Sequence, residues 1–217
     1  SGIEQVAGGV SFVDKDKSTG NTASIKEVYT GMDGLSRRNR VRYDTPTIAG
    51  FTLGTSHISG DGWDAALRYA GEFGSIRVAS GVAYARRRSN SLDFQQVSGS
   101  LSVRHDSGIS LSGGAGKQNS KKLGVSNADF WYSKLGYEID WFDLGSTAAS
   151  IDFARANRIS TNVTKKGRMD SYSVSFVQNV NDISTQFYLT GRNHTLKVTG
   201  IDYRDVFVVL TGFRLKF

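Results

Sequence analysis

Residues 75–105 read SIRVASGVAYARRRSNSLDFQQVSGSLSVRH, and the spacing within them decides the fold. Ile76, Val78, Val82 and Tyr84 alternate with Arg77, Ala79, Gly81 and Arg87. Val97, Leu101 and Val103 alternate with Ser98, Ser100, Ser102 and Arg104. Successive side chains of a strand point to opposite faces, so each segment has one apolar and one polar face. The same period continues outward, through Ile109 and Leu111 on one side and Tyr172, Val174 and Phe176 further on. No run has helical spacing. The period predicts twelve strands, near 3–13, 38–46, 51–59, 63–72, 75–87, 94–105, 109–118, 128–141, 146–157, 169–179, 185–194 and 205–217. Their connectors are short at 47–50, 73–74, 106–108, 142–145 and 180–184. They are longer and more polar at 14–37, 119–127, 158–168 and 195–204, with the brief link at 60–62 as the exception.

Composition narrows the class. The 217 residues contain no cysteine, which excludes a disulfide framework, a thiolate metal site and a cysteine nucleophile. No apolar run approaches the ~20 residues a spanning helix needs; the best is 206–210. The polar faces carry Gly, Ser, Arg, Lys, Asp and Glu, which are poor filling for a dry sandwich core. A water-filled lumen on that side and lipid on the other explain both faces. An even strand count, ~10-residue alternating segments, and turns at one end with loops at the other predict an all-β, antiparallel transmembrane barrel. Aromatics at strand ends, such as Trp63, Phe73, Trp131, Trp141 and Phe142, suit its two interfacial girdles. The whole chain, 1–217, is read as one barrel domain.

The order of several segments carries a family resemblance. DGLSRRNRVRYDTPTIAGFTLG at 33–54, WDAALRYAGEFG at 63–74, RHDSGISLSGGAGKQ at 104–118, FWYSKLGYEIDWFDLGSTAASIDFA at 130–154, FVQNVND at 176–182 and the terminal FRLKF resemble the general porins of the Gram-negative outer membrane. The resemblance implies a diffusion channel for small hydrophilic solutes and ions in that membrane, commonly a homotrimer, with no cofactor, no metal and no catalysis. It also implies that 14–37 folds inward as a constriction loop and that Phe217 is the signal read by the assembly machinery. Typical members have sixteen strands. The chain is therefore either a short twelve-stranded porin or the later part of a longer one. Closure is expected, with 3–13 pairing antiparallel to 205–217, because open edge amides are costly in lipid.

Arg38, Arg40 and Arg42 fall on one face of one strand, with Val41 and Tyr43 on the other. By resemblance these arginines are the basic wall of the constriction. Glu27 and Asp33 on the loop are its acidic side. Arg68, Arg77, Arg104, Lys134, Glu138, Asp152 and Arg192 are expected to line the lumen, with bases in excess, which leans the channel towards anions.

Rival functions leave weaker traces. GGAGK at 113–117 lacks the first Gly and the Ser or Thr of a phosphate loop. An outer-membrane phospholipase or protease needs a base, and of His57, His105 and His194 only His194 is a candidate. The net charge of +7 and the triplet Arg86–Arg88 raise nucleic-acid binding, but no motif accompanies them. The triplet reads instead as an outer rim facing lipopolysaccharide phosphates.

Overall fold

The structure is a computed structural model that describes residues 9–16, 18, 20–29, 32, 39–88, 93–121, 127–157 and 167–215. Its strands are β1 (Ser11–Val13), β2 (Thr22–Ser24), β3 (Arg40–Asp44), β4 (Phe51–Ile58), β5 (Gly62–Phe73), β6 (Ile76–Arg88) and β7 (Asp93–His105). They continue as β8 (Ile109–Ser120), β9 (Ala128–Phe142), β10 (Gly145–Asn157), β11 (Gly167–Val180), β12 (Thr185–Val198), β13 (Ile201–Asp202) and β14 (Val206–Leu215). One short helix, α1 (Ile25–Val28), follows β2.

Strands β3 to β14 form one antiparallel sheet of twelve strands in sequence order, with β13 and β14 both on the outer edge of β12. From β3 to β13 each strand pairs with the next, and several of the turns between them are tight. Gly74, with φ 58°, lies between the paired residues Phe73 and Ile76. Gly108, with φ 89°, abuts the Glu138 carbonyl so closely that a Cβ has no room. Both are conformations that glycine adopts without steric cost.

The outward face carries a continuous apolar belt. Leu67, Val82, Leu101, Leu111, Leu135, Ile151, Val174 and Leu189 are all exposed. A soluble protein does not tolerate so continuous an apolar belt. Trp131 and Trp141 mark its two borders on β9. They are ten residues apart, ~33 Å along the strand and about 25 Å along the axis at a tilt of ~40°, the height of a barrel's apolar band. Phe51, Phe73, Trp141, Phe142 and Phe213 lie towards the short-turn end, while Trp63, Tyr84, Trp131, Phe153 and Tyr172 lie towards the loops.

Three expectations need correction. Of the expected first strand, 3–13, residues 1–8 lie outside the described residues. Its described part is β1, which pairs with β2 rather than with 205–217. It meets the large sheet just above β14: Asp14 bridges Tyr203, the Lys15 N–H donates to the Asp202 carbonyl at 2.8 Å, and the Arg204 N–H donates to the Val13 carbonyl at 2.9 Å. Among the described residues, β3 pairs only with β4 and β14 only with β12. Second, the polar stretch expected at 195–204 is mostly strand, since β12 runs on to Val198 and turns into β13. Leu196 and Val198 keep it ordered because they have apolar partners on the inner side.

Those partners are the third correction. The segment 14–37 is not a simple loop. Its described part folds inward as the β1–β2 hairpin and α1, and joins one apolar cluster with the wall. Phe12, Ile25, Val28, Tyr29 and Met32 pack with Phe130, Ala154, Ala156, Met169, Leu196 and Val198. The Glu27 carboxylate closes the helix start, accepting from the Ser24 N–H at 2.8 Å and its hydroxyl at 2.7 Å. Gln96 of β7 donates to the Met32 carbonyl at 2.7 Å, so the segment also reaches the β7 side of the lumen.

Candidate channel constriction

The sequence RVRYD in β3 places Arg40, Arg42 and Asp44 on the inner face, while Val41 and Tyr43 are 78% and 63% exposed outside. Register carries this face across the sheet: Arg42 lies opposite Ser56, Ser56 opposite Asp64, and Thr52 opposite Arg68. Three arginines and two carboxylates thereby meet on β3–β5. Arg42 grips Asp44 through two hydrogen bonds of 2.6 and 2.8 Å, and Arg68 reaches the same carboxylate at 3.2 Å. Arg40 stands 3.8 Å from Asp64. Bidentate guanidinium–carboxylate pairs are the geometrically specific kind. These five described side chains carry three positive and two negative charges.

Among the described residues, the carboxylates beside the arginines include Asp44 and Asp64 of the barrel wall, and Glu27 caps the helix described above. Asp33 and Arg38 lie outside the described residues, as does Phe217. Asp44 went unnoticed in the sequence, yet it is the next residue on the inner face after Arg42 and was readable from the same period.

Two further arginines lie nearer the short-turn end. Arg77 and Arg104 face each other in register, which brings like charges together. Each has its own acids: Arg77 lies 3.4 Å from Glu72 and 3.2 Å from Asp106, and Arg104 lies 3.1 Å from Glu138. These side chains are half-exposed, so the pairs add little stability; they set the distribution of charge along a wet wall.

The β9–β12 side is different. The Asp152 carboxylate, only 5% exposed, pairs with Arg192 at 2.9 Å. Ser173 donates to Asp152, and Arg192 donates to Ser171 and Ser173, each at 3.0 Å. A buried pair offsets its lost hydration only with such additional hydrogen bonds. Lys134 lies opposite Asp152 across the β9–β10 ladder. His194 is fully buried beside this pair, and neither ring nitrogen has a hydrogen-bond partner among the described residues. The nucleophile–base contact of a hydrolase is therefore not formed there. His57 lies on the lipid side between Val41 and Trp63, and His105 joins Ser75 and Ser107 in a turn.

Between these two walls a cavity of about 580 Å³ remains. Its broad side is made of small residues: Ala66, Ala79, Gly81 and Ala83, then Ser98, Ser100 and Ser102, then Ser112 and Gly114. Tyr29 from the inward segment closes it on the other side, with Phe130 and Tyr132 of β9, and Arg68 borders it. Tyr29 carried no periodic signal in the sequence, because it stands after a single helical turn in an otherwise irregular stretch.

A family model described as Gram-negative porin matches residues 2–197. The chain belongs to the Gram-negative porin family. Its location is accordingly the outer membrane. Solved structures agree on the fold. One is an anion-selective porin from Comamonas acidovorans, 15% identical with a TM-score of 0.57, which covers 100% of this chain and 65% of its own. Another is OccAB4 from Acinetobacter baumannii, 11% identical with a TM-score of 0.58, which covers 94% of this chain and 56% of its own. The outer membrane protein opdK from Pseudomonas aeruginosa follows at 10% identity and a TM-score of 0.51, covering 76% and 52%. The chain thus spans less than two thirds of the length of the porins it matches. No curated protein matches the sequence significantly.

Proposed function

We propose that this porin passes small hydrophilic solutes and ions by passive diffusion through the gap between the inward segment and the β5–β8 wall. The observation that carries the reading is that gap itself, bordered by Arg68 and by a stripe of Gly, Ala and Ser on the β5–β8 wall, with Tyr29, Phe130 and Tyr132 opposite. Such a wall lets hydrated solutes pass without demanding desolvation, and nothing in it offers chemistry to a passing molecule.

The channel leans towards anions. Arg38, Arg40 and Arg42, with Arg68, are its basic side. Asp44 and Asp64 offset part of that charge, and Glu27 and Asp33 are the proposed acidic side on the inward segment. Guanidiniums stay ionised across accessible pH, and low-dielectric walls focus their field. The anion-selective Comamonas porin is a precedent for this lean in the same fold. Arg77, Arg104, Lys134 and Glu138 extend the charged lining, while Asp152 and Arg192 brace the wall under the inward segment. A homotrimer is the proposed assembly, and Phe217 the proposed assembly signal.

Planar-bilayer recordings test this. Replacing Arg40, Arg42 and Arg68 by Gln should move the reversal potential in a KCl gradient towards cations. The shift should be larger at 0.01 M than at 0.1 M salt, where the Debye length falls from ~30 to ~10 Å. An unchanged potential at both salts overturns the anion lean, and an absence of any conductance overturns the channel.

A further inference from the structure

Outside the lumen, the lipid-facing side of β9–β12 is layered by its register. The row nearest the loops contains Arg168 paired with Lys197. The next row down contains Trp131, Arg155 and Asp170. Below it stand Phe153, Tyr172 and, on β14, Phe207. Ile151, Val174 and Gly191 follow beneath these.

Asp170 is an odd residue to find on this face. Its carboxylate is only 5% exposed, covered by two arginines. The Arg155 Nε donates to one oxygen at 2.6 Å, and the Arg168 Nε lies 3.2 Å from the other. Arg155 thus commits its Nε to Asp170 by a hydrogen bond, and Arg168 adds an ion pair to the same carboxylate. Arg155 is held further by the faces of Trp131 at 5.9 Å and Phe153 at 5.5 Å. The result is a pre-set pair of guanidinium forks with one surplus positive charge, at the level of the aromatic girdle. Lys197 stands beside it.

Directly below lies an apolar groove of about 540 Å³. Ile151, Phe153, Tyr172, Val174 and Phe207 form its sides, and Gly191 leaves it open. Guanidinium forks match phosphate oxygens, and the groove matches a hydrocarbon chain. One molecule that carries both, phosphate above and acyl chain below, satisfies the whole face. The site lies at the end of the longer connectors, such as 158–166, which in outer-membrane barrels face outward. The outer leaflet there is lipopolysaccharide.

We propose that this face is a binding site for the phosphorylated, acylated lipid A part of lipopolysaccharide. Arg155 and Arg168 take a phosphate, Asp170 positions them, and the Gly191 groove takes one acyl chain. The site rests on the outer-membrane placement and is independent of what the lumen conducts. It also differs from the triplet Arg86–Arg88, whose middle member is buried on the lumen side.

Native mass spectrometry of the refolded 217-residue protein in detergent tests it, with bisphosphorylated lipid A, its dephosphorylated form and phosphatidylglycerol as separate probes. The wild type should retain bisphosphorylated lipid A, and Arg155→Gln with Arg168→Gln should lower retention about ten-fold, to the level of the dephosphorylated probe. Gly191→Leu keeps every charge and should lower retention of both lipid A forms. A Cβ at 191 meets only the Phe207 ring, at an ordinary 3.5 Å, and the position faces lipid, so this variant should fold and decides the matter if the double variant does not. Unchanged retention in these variants overturns the site, and equal retention of phosphatidylglycerol overturns the choice of lipid A. Bilayer conductance of the same variants should match the wild type, which separates a failure here from a failure of the channel reading.

Discussion

The walls β3–β8 and β9–β12 are written in the same alternating pattern, yet they do different things. On β3–β8 the inner face below its loop end is wet: Arg42, Asp44, Arg68, Arg77 and Arg104 pair in half-exposed clusters above a floor of Gly, Ala and Ser. On β9–β12 the upper inner face is dry. Met169 and Ala154 are fully buried under Phe12, Ile25 and Val28, and Asp152 and Arg192 are sealed beneath them. Alternation says only that a face is not lipid-facing. Whether it then meets water or another part of the chain depends on where the inward segment lies. The passage is therefore off-centre, along the wall that the segment leaves uncovered.

The largest expected effect separates the two walls by charge. Asp152→Ala strands Arg192 in a buried site and should cost about 3–5 kcal/mol. Asp44→Ala, on the wet wall, should leave the midpoint of urea unfolding in detergent micelles unchanged while moving the reversal potential towards anions. Equal shifts of the midpoint in the two variants would erase the distinction between dry and wet walls.

Met169→Ala removes a fully buried side chain under the hairpin and should cost about 2–5 kcal/mol. The sharper readout is electrical. A segment that has lost its apolar seat should rattle, so open-channel noise should rise. A stability loss with quiet current would mean that the wall, not the segment, depends on this contact.

Ser24→Ala removes half of the capping box of α1 and should cost about 0.5–2 kcal/mol, confined to the inward segment. Barrel unfolding should keep its midpoint, while hydrogen exchange at 25–29 should accelerate. Exchange that stays slow would show that packing of Ile25 and Val28, rather than the cap, holds the turn.

Tyr29→Ala tests the asymmetry with the mildest change. It should widen the gap and raise conductance without touching selectivity, because no charge is altered. A fall in conductance would place the passage elsewhere.

Much of this was legible in the residues themselves. The strands β4 to β12 start within a few positions of where period two puts them, because each spans a belt of set height and must keep one face for lipid. The inner placement of Arg40, Arg42, Arg68, Arg77 and Arg104 follows from the same rule. Asp44 was legible too, two positions beyond Arg42. The helical turn at Ile25–Val28 was not, since one turn is too short for its period to register. The continuation of β12 past His194 was missed because Leu196 and Val198 look like residues of a loop until their partners are known.

What the sequence alone determined is most of the sheet: the order of β3 to β12, where most of those strands start, and which of their side chains face lipid, since a two-residue period is a local property of the chain. Only the tertiary structure decided which carboxylates meet the arginines, where Tyr29 stands, and which wall is sealed. Those depend on residues 12–32 packing against 128–198, contacts between stretches far apart in the chain. No local period records such a contact, because it is set by the shape of the cavity that the finished barrel offers.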